Sequence, residues 1–155
     1  MRNLIGEYRV KIDGKGRIKL PKDLLRQLDL ETALPLVVNR GFEKHLMLYP
    51  RNVWEEKTKE INKLNINISQ GRQAIRYFHR GAKELLPDTA DRILIPKTLI
   101  NYAELQKDVV LFAYNTQIEI WDADAYEDLL ENEPENFSEI LDNLYRKEDD
   151  LQKNE

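Results

Sequence analysis

The sequence predicts an α+β fold, mainly β, in which two copies of one four-stranded unit interleave and helices lie at the periphery. An internal repeat predicts the duplication, period-2 apolar alternation inside each copy predicts the strands, and apolar stripes at helical spacing between and after the copies predict the outer helices.

The repeat is direct. Asp13-Gly-Lys-Gly-Arg17-Ile-Lys-Leu-Pro21-Lys-Asp-Leu24 lies over Asp88-Thr-Ala-Asp-Arg92-Ile-Leu-Ile-Pro96-Lys-Thr-Leu99 at one constant offset, with six of twelve positions identical. The match continues, with a shorter loop in the second copy. Leu36–Asn39 aligns with Leu111–Tyr114, and Leu46–Tyr49 with Ile118–Trp121. One copy of about 45 residues cannot bury a core of its own, so the two are expected to interleave around a pseudo-two-fold axis.

Within copy one, Tyr8, Val10 and Ile12 alternate with Arg9 and Lys11, the pattern of a half-buried strand with a basic outer face. Asp13 to Gly16 then turns the chain. The Asp13 carboxylate can accept from backbone two residues on, and Gly14 and Gly16 tolerate positive φ. Ile18 and Leu20 resume the alternation, Pro21 ends the strand, and Leu24, Leu25 and Leu28 mark a short helical turn. Between the copies, Val53, Trp54, Lys57, Ile61 and Leu64 form one helical stripe and Ala74, Ile75, Phe78 and Ala82 another. After copy two, 122–130 reads as helix. Phe137, Ile140, Leu141 and Leu144 then form a stripe expected to dock before the chain frays from Lys147 onward. The organisation expected is a first repeat with its following helix over 1–64, a helix and second repeat over 65–130, and an acidic helical tail over 131–155.

Charge is polarised along the chain. The 155 residues carry 24 Lys and Arg against 28 Asp and Glu, a net charge of -4, within the size of one domain. Residues 1–27 hold eight cations against three acids, while 119–155 hold 14 acids against three cations. The net value therefore hides a basic front, and nucleic acid stays open as a partner because phosphate contacts depend on the local field of one face. With no Cys there is no disulfide, thiolate nucleophile or cysteine metal site. No apolar run approaches the roughly 20 residues of a membrane span, and Glu7 comes too early for a secretory leader. Cytoplasm is the expected compartment.

The paired Asp-x-x-x-Arg turns, each leading into an apolar strand that ends in Pro, with Leu48-Tyr49-Pro50 and Ile118-Glu119-Ile120-Trp121 closing the copies, resemble the MraZ family of bacterial transcription regulators. The resemblance covers nearly all of residues 4–145. It implies two tandem swapped-hairpin halves, similar to AbrB-type DNA-binding domains, that form a pseudo-two-fold β-barrel with peripheral helices. It also implies a homo-oligomeric ring that binds double-stranded DNA at short direct repeats, as a nucleoid-associated repressor of the division and cell-wall gene cluster.

The residues make physical sense of such a role. A tight turn can present one guanidinium for a bidentate pair with guanine O6 and N7 in the major groove, which points to Arg17 first and to its counterpart Arg92. Lys15 in the turn, with Arg9, Lys11 and Lys19 on the outward strand face, would contact phosphates and set register. Asp13, Gly14, Gly16 and Asp88 are assigned as turn stabilisers. An isolated Arg after a turn is ordinarily just solvated; duplication and the basic strand argue for more. In copy two, Asp91 stands where the motif has Gly, which is expected to remove positive-φ tolerance, add a negative charge beside Arg92 and leave copy one dominant in binding.

Other constellations are weaker. Arg72, Arg76, His79 and Arg80 share a helical stripe that reads as an inter-subunit salt-bridge seam ahead of a second nucleic-acid surface. His45 and His79 are isolated from one another and from any metal-ligand spacing, so no metal, cofactor or small-molecule substrate is expected. No catalytic set presents itself, and Trp54 and Trp121 read as core. The competing readings are a protein-interaction scaffold built on the acidic tail, and a small enzyme for which no residues volunteer.

Overall fold

The computed structural model describes residues 2–131 and 136–153. Copy one supplies β1 (Leu4–Lys11), β2 (Arg17–Lys19), α1 (Lys22–Gln27), α2 (Leu30–Ala33), β3 (Leu36–Arg40) and β4 (Leu46–Tyr49). Two connecting helices follow, α3 (Arg51–Ile61) and α4 (Ser69–His79). Copy two supplies β5 (Lys83–Leu85), β6 (Arg92–Leu94), α5 (Lys97–Ala103), β7 (Asp108–Asn115) and β8 (Gln117–Asp122), followed by α6 (Ala123–Glu131) and α7 (Phe137–Lys153).

Prolines set three of the helix starts. Pro21, Pro50 and Pro96 immediately precede α1, α3 and α5, and their carbonyls accept from Leu25, Trp54 and Ile100, each at 3.0 Å. A proline has no N–H to waste at a helix start, and its fixed φ suits that position.

The strands form a six-stranded antiparallel sheet in the order β1-β7-β8-β4-β3-β5, and β2 pairs with β6 in a separate two-stranded ribbon. Exchanging the copies, so that β1 trades with β5, β2 with β6, β3 with β7 and β4 with β8, reverses the six-stranded order onto itself. Each copy therefore pairs across to the other at β1·β7, β3·β5, β4·β8 and β2·β6. No pairing joins β1 to β5 among the described residues, so the sheet is open in its hydrogen bonding.

The sheet has two covered faces. On one, Leu36, Leu48, Leu111 and Ile120 pack with Ile18 and Ile93 of the ribbon and with Leu24 and Leu99 of α1 and α5. On the other, α3 and α4 cover Val37, Met47 and Tyr49 through Val53, Trp54 and Phe78, while α6 covers Val110 and Trp121 through Ala123 and Tyr126. Alternation along each strand sends its two apolar sets into these two layers.

Two expectations change. Helical residues outnumber strand residues, so the fold is mixed α+β and not mainly β; the excess lies in α3, α4 and α7, outside the repeated unit. The tail also differs: α7 runs unbroken through Lys153, and its apolar stripe is not docked, with no residue of the helix buried.

Candidate nucleic-acid interface

The interface grows from one carboxylate. Asp13 Oδ1 accepts from the backbone N–H of Lys15 and of Arg17, both at 2.9 Å, and Asp13 Oδ2 accepts from Arg17 Nε at 2.7 Å. The backbone closes the same loop, with Asp13 N–H donating to Arg17 O and Gly16 N–H to Asp13 O, each at 3.0 Å. These donors hold the Asp13 carboxyl down to about 2, the Arg17 backbone N–H contributing most, against an opposing desolvation effect, with the Arg17 guanidinium and Lys15 N–H adding to it. Using Nε for Asp13 fixes the guanidinium plane and leaves its two terminal nitrogens for an outside acceptor.

Copy two repeats the arrangement bond for bond. Asp88 Oδ1 accepts from Ala90 and Arg92 N–H at 2.9 Å, and Asp88 Oδ2 accepts from Arg92 Nε at 2.9 Å. Asp91 N–H donates to Asp88 O at 3.0 Å. The Asp88 carboxyl is likewise lowered, chiefly by the Arg92 backbone N–H. The expectation that Asp91 spoils the turn is overturned. Asp91 takes φ 62, beside φ 88 at Gly16, because aspartate is one of the few residues with a side chain that visits the left-handed region readily.

The ribbon joins the two turns. Arg17 lies opposite Leu94, Ile18 opposite Ile93, and Lys19 opposite Arg92. Ile18 and Ile93 point into the core, so Arg17, Lys19, Arg92 and Leu94 share the outer face. Each turn also grips the other copy: Leu20 N–H donates to Asp91 O at 2.9 Å and Ile95 N–H to Gly16 O at 2.8 Å. Two guanidiniums thus stand on a rigid two-stranded element, diagonal to each other across a local two-fold axis. A ribbon of this width is one of the shapes the DNA major groove admits.

Other residues singled out from the sequence separate. Lys15 is exposed at the tip of the first turn. Gly16 is sterically required, since a Cβ there would sit 3.1 Å from Ile95 O in addition to the positive φ; at Gly14 a Cβ would meet open space. Arg9 and Lys11 do not join Lys19 on one face, contrary to expectation. Arg9 pairs opposite Val110, beneath α6, whereas Tyr8 and Val10 face the layer that holds the ribbon. Both cations are matched by acids, Arg9 with Glu127 at 3.6 Å and Lys11 with Asp108 at 3.5 Å.

In their place the structure brings lysines of copy two to the first turn. A surface groove of about 820 Å³ beside it is lined by Lys15, Lys83, Lys97 and Lys107 over Leu94 and Ile100. Lys107 carried no sequence signal, because its position beside Lys15 follows from the exchange of strands between copies. Elsewhere, His45 is buried and stacked on Trp121 at 4.5 Å, and burial lowers its pKa. Among the described residues no cluster of three His, Cys, Asp or Glu could hold a metal ion. Among the described residues no helix is long and apolar enough to cross a membrane.

A family model described as "MraZ protein, putative antitoxin-like" matches residues 4–75 and again residues 78–147. The two matched stretches are the two copies, each with most of the helical segment that follows it. The chain belongs to the MraZ family. It is 37% identical over 150 residues, 96% of this chain and 97% of the relative, to the transcriptional regulator MraZ of Christiangramia forsetii. The transcriptional regulator MraZ of Flavobacterium psychrophilum is 34% identical over 145 residues, 93% of this chain and 92% of that one. That of Bifidobacterium longum is 34% identical over 141 residues, 91% of each. Within this MraZ-family chain, the duplicated match and the copy-exchanged sheet describe the same symmetry, once in sequence and once in strand order.

Proposed function

We propose that this MraZ-family chain is a sequence-specific, double-stranded-DNA-binding regulator of transcription with no enzymatic activity. The observation that carries the reading is the pair of guanidiniums, Arg17 and Arg92, each held at Nε by its own aspartate on one rigid ribbon. The ribbon enters the major groove, Arg17 and Arg92 read guanine edges, and Lys15, Lys19 and the lysines flanking the first turn contact phosphates. Arg9 and Lys11 take no part, being on the other face and ion-paired. The names of the relatives support the regulatory role.

The finer parts of the reading rest on the family resemblance. They are a pseudo-two-fold swapped-hairpin barrel, a nucleoid-associated ring of copies, binding at short direct repeats, and repression of the division and cell-wall gene cluster. Head-to-tail contacts place each copy's ribbon in the same sense, which suits direct repeats and not palindromes.

The test is a fluorescence-anisotropy titration of a duplex with G-rich direct repeats against a scrambled duplex, for wild type, Arg17→Ala and Arg92→Ala across a salt series. Repeat-selective binding that both substitutions weaken supports the reading. Equal binding of both duplexes by all three proteins overturns it.

A further inference from the structure

The face of the sheet away from the ribbon carries a run of cations without acids on and around α4, beside an exposed aromatic side chain. Residues 61–83 contain no Asp or Glu at all, while Arg72, Arg76 and Arg80 fall within them on or next to α4. The segment is anchored by Phe78, stacked on Trp54 at 5.6 Å, so α4 shows its opposite side to solvent. That side holds Arg76 and Arg80, which have no ion-pair partner among the described residues, and Tyr77, which is 73% exposed. A shallow groove of about 810 Å³ runs along α4, lined by Gln70, Gln73, Ala74, Arg76, Tyr77 and Arg80 with no acid among its walls.

The complement is on the same chain. Helix α7 buries no residue, and Phe137, Ile140, Leu144 and Leu151 are exposed along one side of it. At 100° per residue Glu148 falls on that same stripe, one turn beyond Leu144. An apolar seam with a carboxylate inside it fits an apolar and aromatic groove with two unpaired guanidiniums along it. Helix α6 packs Ala123 and Tyr126 on Val110 and Trp121 and leaves Leu129 and Leu130 exposed, but it holds no Lys or Arg to receive the Glu148 carboxylate.

We infer that α7 of one copy docks along α4 of a second copy, its Phe137–Ile140–Leu144–Leu151 stripe on Tyr77 and Ala74 and Glu148 between Arg76 and Arg80. A second copy is the occupant because every chain carries both surfaces in equal number. Nucleic acid is disfavoured because α4 and the β2–β6 ribbon lie on opposite faces of the sheet, so a duplex seated on the ribbon does not reach α4. The two surfaces differ, so the contact is head-to-tail: each copy gives one helix and receives one, and the ribbon stays free on every copy. The inference deepens the ring part of the reading above and rests on it only for closure; the contact itself is read from mass and cross-linking, and the DNA titration described above, repeated with Arg80→Glu, separates it from a nucleic-acid surface.

The chain has no Cys, which makes the test clean. Chains carrying Tyr77→Cys are mixed with chains carrying Leu144→Cys and oxidised, and the masses of wild type, Leu144→Asp, Glu148→Lys, Arg80→Glu and the Glu148→Lys/Arg80→Glu double variant are measured by light scattering at micromolar concentration, with circular dichroism as a check on folding. The expected result is a mixed cross-linked pair, loss of assembly in Leu144→Asp with the helix content retained, at least tenfold weaker assembly in either charge variant, and recovery in the double variant. Assembly that persists in Leu144→Asp and in both charge variants overturns the inference and leaves the ring standing. A wild type that stays a single chain overturns both. Cross-linking only when both cysteines sit on one chain assigns α7 to its own α4 and overturns the second-copy contact. Arg80→Glu that weakens DNA binding with mass unchanged makes α4 a nucleic-acid surface and overturns it too.

Discussion

The first turn is Asp-Gly-Lys-Gly-Arg and the second Asp-Thr-Ala-Asp-Arg, yet their hydrogen bonds coincide one for one. The shape is written by two positions, the aspartate that collects three N–H donors and the residue before Arg that takes positive φ. The residues between are free to vary, and they set the charge. Lys15 faces solvent where copy two has Ala90, and Asp91 adds a carboxylate where copy one has Gly16. The second turn keeps its guanidinium posed and loses its positive surroundings. Copy one is therefore expected to dominate binding for an electrostatic reason, and not because the second turn is misshapen.

The comparison breaks most visibly at the arginines. Arg17→Ala is expected to lower affinity for the repeat duplex by about 5- to 150-fold, the loss of one bidentate base pair contact. Arg92→Ala should cost less but remain measurable in the same titration; an effect equal to that of Arg17→Ala would show that surrounding charge is irrelevant. Next in size is Gly16→Ala, which puts a Cβ 3.1 Å from Ile95 O at φ 88. Thermal unfolding should drop by a few degrees, for a cost of roughly 1–2 kcal/mol.

Lys15→Ala makes the tip of turn one resemble that of turn two. It should weaken binding evenly across sequences and flatten the salt slope by about 0.9, as for one phosphate contact. Asp91→Gly makes the converse change, and calorimetry should find it neutral to stabilising by at most about 1 kcal/mol, with tighter DNA binding from the lost carboxylate. The smallest effect concerns pH. A carboxyl held below its unfolded value contributes stability that is fully present above the unfolded pKa and lost as pH falls through the folded one. With Asp13 at about 2 against an ordinary 3.8, the turn should stay formed at pH 4 and open only on approach to pH 2. A carbon-13 titration of the Asp13 carboxyl checks this, and a midpoint near 3.8 would mean that the cradle is not formed in solution.

Much of this was legible in the chain. The duplicated turn is local, since an aspartate four residues before an arginine and a turn residue between them are visible in one line of text, and period-2 alternation gives β1 and β2 directly. Period-2 alternation does not say which strand a neighbour belongs to, so Arg9 and Lys11 look coplanar with Lys19 until β7 and α6 are seen on their side. Lys107 reaches the first turn only through the exchange of strands. Asp91 looks disruptive in the sequence because propensity ranks glycine first at positive φ, while the bonds closing the turn suffice to hold an aspartate there. The stripe on α7 is plain in the sequence, but an apolar stripe announces a need for cover and not where the cover comes from.

The exchange of strands also bears on how the chain is made. Lys11 at the end of β1 finds its partner only at Asp108, and the β2 edge waits for β6. At a synthesis rate of about 5–20 residues per second, the first strand leaves the ribosome roughly 5–20 s before the strand that completes it. Copy one thus spends that interval with open edges and an uncovered apolar layer, dependent on its own unfinished second half and exposed to the corresponding half of any neighbouring nascent chain.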